Sequence, residues 1–309
     1  MARPRGGSAC CAGRPQPSNA QAPPRSRHSQ PERISRLVAA AMRPIVPLDT
    51  PPVSPLLEPE SQLLGDANPG IETSTLILLD WDDTLLPTTW LSQMSCGGPV
   101  LDLKLADTSA ESLARCEAQA LRLLDACCMH AHVVITTNSE KGWVESSGSK
   151  FMPKVASRLI NARVPIFSAQ AAFRSPGSRL EHDVVDTWKR KAFHALLCEF
   201  ARQQRCNKRF GGDRGVKGCN LLSIGDSEFE RDAARYCAEK LALESHSNGV
   251  QICKTVKLED DPSVAVLRLQ QAGLAERIRS LVHAKQDLDA DWDRQASQWQ
   301  VVEAAASFI

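Results

Sequence analysis

The stretch LILLDWDDTLLPT, residues 76–88, joins four aliphatic residues to three carboxylates. An uninterrupted aliphatic run of this length is typical of a strand that is buried on both faces of a parallel sheet. Asp80, Asp82 and Asp83 follow the run directly, so charge appears where such a strand leaves the core. Ligands of open α/β sheets bind beyond the carboxyl ends of the strands, and the acids therefore indicate a functional site rather than a simple turn.

Composition sets the class of protein. With 309 residues, 42% of them hydrophobic and 24% charged, the chain is long enough for one main core. The net charge of +1 gives no signature of nucleic-acid or membrane-surface binding. The apolar runs are far shorter than the ~20 residues of a spanning helix, so we expect a soluble protein without a membrane span. The 11 cysteines include no CxxC pair, which favours reduced intracellular thiols over zinc or disulfides.

The first 70 residues differ from the rest of the chain. They contain 13 of the 19 prolines, and five arginines precede the first acid, Glu32. This composition predicts a disordered region over 1–70, within which residues 31–42 could form a short amphipathic helix. An Arg-rich, acid-poor start is typical of a transit peptide to a plastid or mitochondrion, and equally of a solvated tail. The expected location is therefore intracellular, either cytoplasmic or organellar.

From residue 71 onward, strand patterns alternate with helical patterns. Strands are predicted at 75–80, 132–137, 164–168, 220–224 and 250–258, and helices at 109–130, 141–160, 186–204 and 228–243. This order predicts an α/β domain over 71–260, a parallel sheet of about five strands with helices on both faces. Residues 261–309 are predicted to form a helical extension that carries Trp292 and Trp299.

Two short connections indicate an open site. After residue 84, the turn signal CGGP precedes Leu101, Leu103 and Leu105, which alternate with polar residues and predict a small β-hairpin flap. The connection 169–186 is too short for a second domain. We therefore expect no large cap domain over the site.

Polar residues end three of the predicted strands. Asp80 and Asp82 follow the first, Thr137 ends the second, and Asp226 follows the fourth. Because carboxyl ends of parallel strands lie at one edge, these groups should converge there. Close carboxylates repel one another unless a proton or cation lies between them. Without accompanying His or Cys, oxygen donors favour Mg²⁺ over zinc.

These motifs resemble those of the haloacid dehalogenase (HAD) superfamily. DWDDT at 80–84 is similar to its DxDx(T/V) signature, and VVITTN at 133–138 to its second motif. A lysine at the head of a later helix resembles the third motif, and SIGDSEFE at 223–230 the fourth. The resemblance covers roughly 71–260 and implies a capless, three-layer Rossmannoid fold and a phosphatase that forms an aspartyl phosphate.

The resemblance also implies residue roles. Asp80 would be the nucleophile, and Asp82 the general acid and base. Thr84 would help to orient the site, and Thr137 would donate its hydroxyl to the phosphoryl oxygens. Lys189 would be the lysine of the third motif.

The lysine and the metal ligands each require a choice. Lys189 is preferred to Lys191 because it shares a helix face with Phe193 and Phe200. Glu230 stands where the pattern expects Asp, and Asp83 is expected to be a surface charge. The implied Mg²⁺ ligands are Asp80, Asp82 through its carbonyl, Asp226 and Glu230.

The implied activity is Mg²⁺-dependent hydrolysis of a phosphate monoester. An open site favours a large phosphorylated substrate such as a phosphoprotein. Two alternatives remain at this point: a non-catalytic binding or scaffold protein of the same fold, and a phosphotransferase. The oligomeric state is not determined by the sequence.

Overall fold

The computed structural model describes residues 30–42, 74–174, 182–208, 219–244, 250–293, 295 and 298–302. The proposed transit peptide lies outside these ranges, except for its final helix. That helix, α1 (Gln30–Ala41), forms where the sequence predicted one. Because Val38 and Met42 are buried against the domain, 30–42 differ from the predicted disordered region.

One sheet of seven strands, rather than the predicted five, organises the fold. Its order is β3-β2-β1-β4-β5-β6-β7, and every neighbouring pair is parallel except β6 and β7. The strands are β1 (Ser74–Asp80), β2 (His132–Thr137), β3 (Ile166–Ser168), β4 (Cys219–Gly225), β5 (Val250–Lys257), β6 (Leu288–Asp293) and β7 (Gln298–Val302). The parallel α/β prediction is confirmed, and the arrangement is compatible with a Rossmann-like fold.

Helices cover both faces of this sheet. They are α2 (Thr88–Met94), α3 (Asp107–His130), α4 (Trp143–Phe151), α5 (Pro153–Asn161), α6 (Ala169–Phe173), α7 (His182–Lys208), α8 (Glu228–Glu244) and α9 (Val264–His283). Residues 141–160, predicted as one helix, form α4 and α5 because Pro153 cannot continue a helix and starts α5 instead.

Strand β1 connects two hydrophobic cores. Ile77 and Leu79 belong to the core beneath α3, α4, α5 and α9, whereas Leu76 and Leu78 belong to the core beneath α1, α6, α7 and α8. All four side chains are 0% exposed, as expected for a central strand buried on both faces. The strand order changes direction at β1, between β2 and β4, so the carboxyl ends of these three strands border the crevice of the fold.

The β-hairpin flap predicted after residue 84 is wrong. The described residues 84–106 contain α2, a 3₁₀ turn at Val100–Asp102 and a single bridge between Asp82 and Leu86. Leu103 and Leu105 pack against the α3 and α9 core rather than pairing across a hairpin. The alternation of apolar and polar residues suggested a strand pair, but it reflects the packing of these two leucines against the core.

The C-terminal part differs from a purely helical extension. Helix α9 is followed by β6 and β7, which extend the sheet beyond β5. Trp292 and Trp299 face each other across this strand pair, with ring centroids 5.4 Å apart. The side-chain amide of Gln271 on α9 donates to the carbonyls of Thr84 and Leu85, each at 3.0 Å. The C-terminal elements thereby hold the loop that follows β1.

Two sequence predictions concern the whole molecule. Within the ranges described, no helix is both long enough and apolar enough to cross a membrane. Eight of the cysteines in these ranges are free thiols.

Candidate active site

A buried lysine joins two acids at the carboxyl edge of the sheet. Lys189 on α7 forms ion pairs with Asp80, at the end of β1, and with Glu230 on α8. The Nζ–Oε1 distance to Glu230 is 2.7 Å. The side chains of Lys189, Asp80 and Glu230 are only 1%, 7% and 6% exposed. Lys191, two residues further along α7, is exposed to solvent.

The face of α7 explains this placement. Phe193, Leu196 and Phe200 pack into the core, and Lys189 lies on the same side of the helix. Helix α7 therefore places the ammonium group of Lys189 at the carboxyl edge of the sheet. Burial alone would lower the pKa of Lys189, but the carboxylates of Asp80 and Glu230 outweigh it and raise that pKa above its usual value.

Negative charge exceeds positive charge around Lys189. Burial raises the pKa of Asp80 well above its ordinary value, even though Lys189 opposes the shift. Burial also raises the pKa of Asp226 to about 8, and repulsion by Glu230 and Asp83 adds to the effect. A cluster with this excess of carboxylates favours either protonation or a bound cation.

Asp82 is held by four hydrogen-bond donors. Thr88 Oγ1 and Trp143 Nε1 donate to its Oδ1, each at 2.7 Å. Thr137 Oγ1 and Ser139 Oγ donate to its Oδ2, each at 3.0 Å. Two oxygens of a carboxylate offer about four lone-pair directions, so these donors fill its capacity. Asp82 and Thr137 are thus brought together, and the hydroxyl of Thr137 is directed at the carboxylate.

Three of these four donors were not predicted from the sequence. Thr88, Ser139 and Trp143 carry no motif of their own, and they reach Asp82 only because β1, β2 and the starts of α2 and α4 meet at one edge. Gly142, which precedes α4, has a φ of 93° and lets the chain turn so that Trp143 follows it into the helix. No local sequence signal identifies the indole as a partner of an acid 61 positions away.

Asp83 is a buried structural residue, not the surface charge expected from the sequence. It is 6% exposed and accepts the backbone N–H of Thr89 at 3.0 Å and the hydroxyl of Thr89 at 2.6 Å. Its φ of 50° lies in the left-handed region, which Asp tolerates better than most residues. Asp83 therefore fixes the start of α2 and the loop in front of it.

Thr84 is fully buried beside this loop. Its hydroxyl has no hydrogen-bond partner within the ranges described, while its carbonyl accepts from Gln271. Neither contact brings its hydroxyl to Asp80 or Asp82. The expected role of Thr84 in orienting the site therefore stays a prediction.

Glu230 serves α8 as well as Lys189. Its carboxylate accepts the backbone N–H of Ser227 at 3.2 Å and the Ser227 hydroxyl, as in a capping box at the start of a helix. The absence of a side chain at Gly225 leaves room for the side chain of Glu230. A Cβ added at Gly225 would lie 2.9 Å from Cβ of Glu230 and closer still to its Cγ. The carboxylate of Glu230 is thus already satisfied by a lysine and a serine.

The four-residue metal set expected from the sequence is not assembled. Within the part of the chain that the structure describes, no three His, Cys, Asp or Glu side chains form a group that could hold a metal ion. The carboxylate of Glu230 is engaged by Lys189 and Ser227, whereas the four donors to Asp82 occupy its carboxylate and leave its backbone carbonyl, the atom of the predicted set, as a prediction. The carboxylates of Asp80 and Asp226 are left, and repulsion by Asp226 adds to the raised pKa of Asp80. Two carboxylates together with waters are a usual donor set for Mg²⁺, so these residues fit that ion.

Known proteins offer no direct guide to this site. No family model matches the chain, and no curated protein or solved structure matches it either.

Proposed function

We propose that this protein is a Mg²⁺-dependent phosphatase of the HAD type, which hydrolyses phosphate monoesters through an aspartyl phosphate on Asp80. One observation carries the proposal: Lys189 reaches across 109 positions of sequence to pair with Asp80 in a buried site. A buried lysine next to a strand-end aspartate supplies what phosphoryl transfer requires, a nucleophile beside a positive charge.

In the first step, an oxygen of Asp80 attacks the phosphorus of the substrate. The bond from phosphorus to the ester oxygen breaks, and that oxygen takes a proton from Asp82. Lys189 has two functions here. Its charge opposes the effect of burial on the pKa of Asp80 and so favours the ionised nucleophile, and it offsets the negative charge of the phosphoryl oxygens.

In the second step, Asp82 removes a proton from a water molecule, which attacks the phosphorus of the aspartyl phosphate. The bond from phosphorus to Asp80 breaks, and inorganic phosphate leaves with Asp80 restored. Asp80 and Asp226 would hold Mg²⁺, with the Asp82 carbonyl as a further ligand, and the ion would neutralise charge between the phosphate and the carboxylates.

Asp82 must change partners during this cycle. Thr88, Thr137, Ser139 and Trp143 occupy its oxygens in the structure, so a proton can be exchanged only when at least one of these bonds is released. Thr137 lies at the end of β2, and its hydroxyl can donate its hydrogen bond to a phosphoryl oxygen instead of to Asp82. All four of these hydrogen bonds are accepted by Asp82, so its carboxyl group must gain a proton before it can act as the acid of the first step.

A second candidate, a non-catalytic binding protein, has one observation in its favour. The carboxylates of Asp82 and Glu230 are both fully engaged within the protein. A scaffold would use these bonds only to stabilise the fold. Turnover of a simple ester distinguishes the two candidates.

The test is hydrolysis of para-nitrophenyl phosphate by the full chain, with Mg²⁺ or with a chelator. We expect turnover that needs Mg²⁺, and a fall of about 10³-fold or more in Asp80→Asn, because the nucleophile is lost. Asp232→Asn is the matched control, since Asp232 is an exposed acid on α8. Unchanged turnover in Asp80→Asn, or no turnover in the folded wild-type protein, would favour the binding protein.

A further inference from the structure

A cleft of about 460 Å³ lies between α6, α7 and α8 and is not used by the chemistry described above. Thr187 and Lys191 of α7 line it, and each is two positions from Lys189. Because successive residues of a helix are about 100° apart, both face away from Lys189, and both are exposed whereas Lys189 is buried. The cleft therefore lies on the opposite side of α7 from the candidate active site.

Three cations from two helices line this cleft. Arg190 and Lys191 belong to α7 and Lys240 to α8, whereas none of the described lining residues is acidic. Asp186 forms an ion pair with Arg190 at 3.0 Å, so it offsets one of the three positive charges. Like charges that converge from different elements repel one another, and a bound anion relieves that repulsion. The charge of the cleft thus favours an anionic ligand.

The aromatic ring of Tyr236 lies beside two of these cations. Cζ of Arg190 is 5.3 Å from the ring centroid, and Nζ of Lys240 is 5.9 Å from it. Both distances are within the range of cation–π contacts, which hold the two cations near the ring. Tyr236 is itself 42% exposed, and Phe173 adds a second aromatic side chain to the lining. Positive charge and accessible aromatic surface therefore occur together in this cleft.

This combination defines a class of ligand. Lys and Arg bind phosphate through charge-assisted hydrogen bonds, and aromatic side chains stack on nucleobases. A phosphate monoester carries a charge of about −1.5 to −2 at pH 7, which suits a site where several cations converge. A nucleoside monophosphate contains both a phosphate group and a flat aromatic base. An inorganic anion would use the cations but not the rings.

The size of the cleft favours a single nucleotide over a nucleic acid. Small-molecule sites usually have volumes of about 300–1,000 Å³, and this cleft lies within that range. Single-stranded nucleic acids bind instead along grooves where cations follow successive phosphates and several rings stack on successive bases. Two of the cations here gather around one ring. One nucleotide therefore fits the cleft better than a strand does.

We propose that this cleft binds a nucleoside monophosphate, whose phosphate is held by Arg190, Lys191 and Lys240. Its base contacts Tyr236 and Phe173. The proposal assigns a binding site and no chemical step. It does not depend on the phosphatase function, because the cleft shares no residue with the proposed catalytic set.

Isothermal titration calorimetry of the full chain measures the affinities for adenosine monophosphate, adenosine and inorganic phosphate. The buffer is freed of divalent cations, so that no Mg²⁺-dependent hydrolysis consumes the ligand. We expect adenosine monophosphate to bind at least about tenfold more tightly than either of the other two compounds, because only it engages the cations and the rings together.

Two lysine variants test the assignment of the cations. Lys240→Ala should weaken the binding of adenosine monophosphate by about five- to tenfold, since a charge-assisted hydrogen bond is lost. Lys191→Ala should have the same effect, and because Lys191 is exposed, its replacement leaves the fold intact. Lys104→Ala is the matched control, since Lys104 is an exposed lysine outside the cleft, and it should leave the affinity unchanged.

Tyr236 also locates the ligand, because it is the only tyrosine of the chain. Protein labelled with fluorotyrosine gives a single fluorine NMR signal, which comes from this cleft. Adenosine monophosphate should shift that signal with the same midpoint as in calorimetry. Lys240→Ala should move the midpoint to a concentration about five- to tenfold higher.

Several outcomes would overturn the proposal. No heat of binding, or heat without a change in the fluorine signal, would show that the nucleotide does not occupy the cleft. Equal affinities for adenosine monophosphate and inorganic phosphate would leave the rings without a role in recognition. Tighter binding of a short single-stranded RNA would assign the cleft to nucleic acids instead. A failure to hydrolyse para-nitrophenyl phosphate, by contrast, bears on the proposed function alone.

Discussion

Replacing Lys189 with methionine should destabilise the protein strongly, because this lysine is the cation that the buried acids share. Methionine has a similar length and keeps the packing of the aliphatic part of the side chain, so the charge is the main loss. After the substitution, Asp80 and Glu230 lose their ion pairs, and Asp226 remains beside them.

The magnitude follows from the geometry. At 2.7 Å and an effective dielectric constant of about 20, the attraction between Lys189 and Glu230 alone is about 6 kcal/mol. Part of this lost attraction is offset, because the variant avoids the free-energy cost of moving a charged lysine from water into the protein interior. Removing one partner from buried ion pairs typically costs about 3–5 kcal/mol, and we expect a loss in that range at pH 7.

The loss should depend on pH. Without Lys189, the pKa of Asp80 rises further above its ordinary value of 3.8, while that of Asp226 is already about 8. A folded acid with a raised pKa binds more protons than the unfolded chain between the two values, so stability falls as pH rises through that window. The variant should therefore lose more stability at pH 8 than at pH 5.

The assay is urea unfolding, followed by circular dichroism, in the presence of a chelator so that no divalent cation replaces the lysine. Lys191→Met is the control, since Lys191 is exposed on the same helix, and it should change the free energy of unfolding by less than about 0.5 kcal/mol. In the double variant with Glu230→Gln, about 1–3 kcal/mol of the loss should be recovered, because fewer unpaired charges remain. A loss below about 1 kcal/mol, or the same loss at pH 5 and pH 8, would refute this account of the site.

Two further substitutions test the surroundings. Lys254 is fully buried, its Nζ donates to the carbonyl of Val282 at 2.9 Å, and burial lowers its pKa to about 8. Because the unfolded chain holds this proton up to pH 10.5, stability should rise by about 3 kcal/mol between pH 8 and 10.5 in the wild type, and a rise of equal size in Lys254→Met would contradict the assignment. Gly225→Ala should lower the free energy of unfolding in urea by about 1–3 kcal/mol, because the added methyl meets the side chain of Glu230; a change under about 0.5 kcal/mol would show that this side chain can move aside.

Much of the central sheet could be predicted from local patterns. Strands β1 to β5 lie where apolar runs predicted them, because strands buried on both faces must be apolar nearly throughout. Strands β6 and β7 gave no such signal. Asp289 and Asp291 interrupt the apolar pattern of β6, and they are paired there with Arg235 and Arg231 of α8. These partners are more than 50 positions away, so no local pattern reveals them.

Local alternation also misled where long-range packing was stronger. Residues 101–105 alternate like a strand, yet Leu103 and Leu105 pack into the core beneath α3 and α9. Pro153 is the opposite case. Proline interrupts a helix wherever it occurs, and the structure has a break between α4 and α5 at this residue. A rule based on covalent geometry holds anywhere, whereas a rule based on burial needs the identity of the neighbouring elements.

The sequence by itself determined the elements of the site: the acids at the end of β1, the threonine at the end of β2, and the lysine on the inner face of α7. Periodicity is sufficient for these, because it shows which residues end a strand or share a helix face. Only the tertiary structure decided which side chains meet. It directs the carboxylate of Asp82 toward Thr88, Ser139 and Trp143. It also brings the carboxylate of Glu230 into contact with Lys189 and Ser227. The physical reason is that the orientation of a buried carboxylate is set by the donors around it, and most of those donors come from distant parts of the chain.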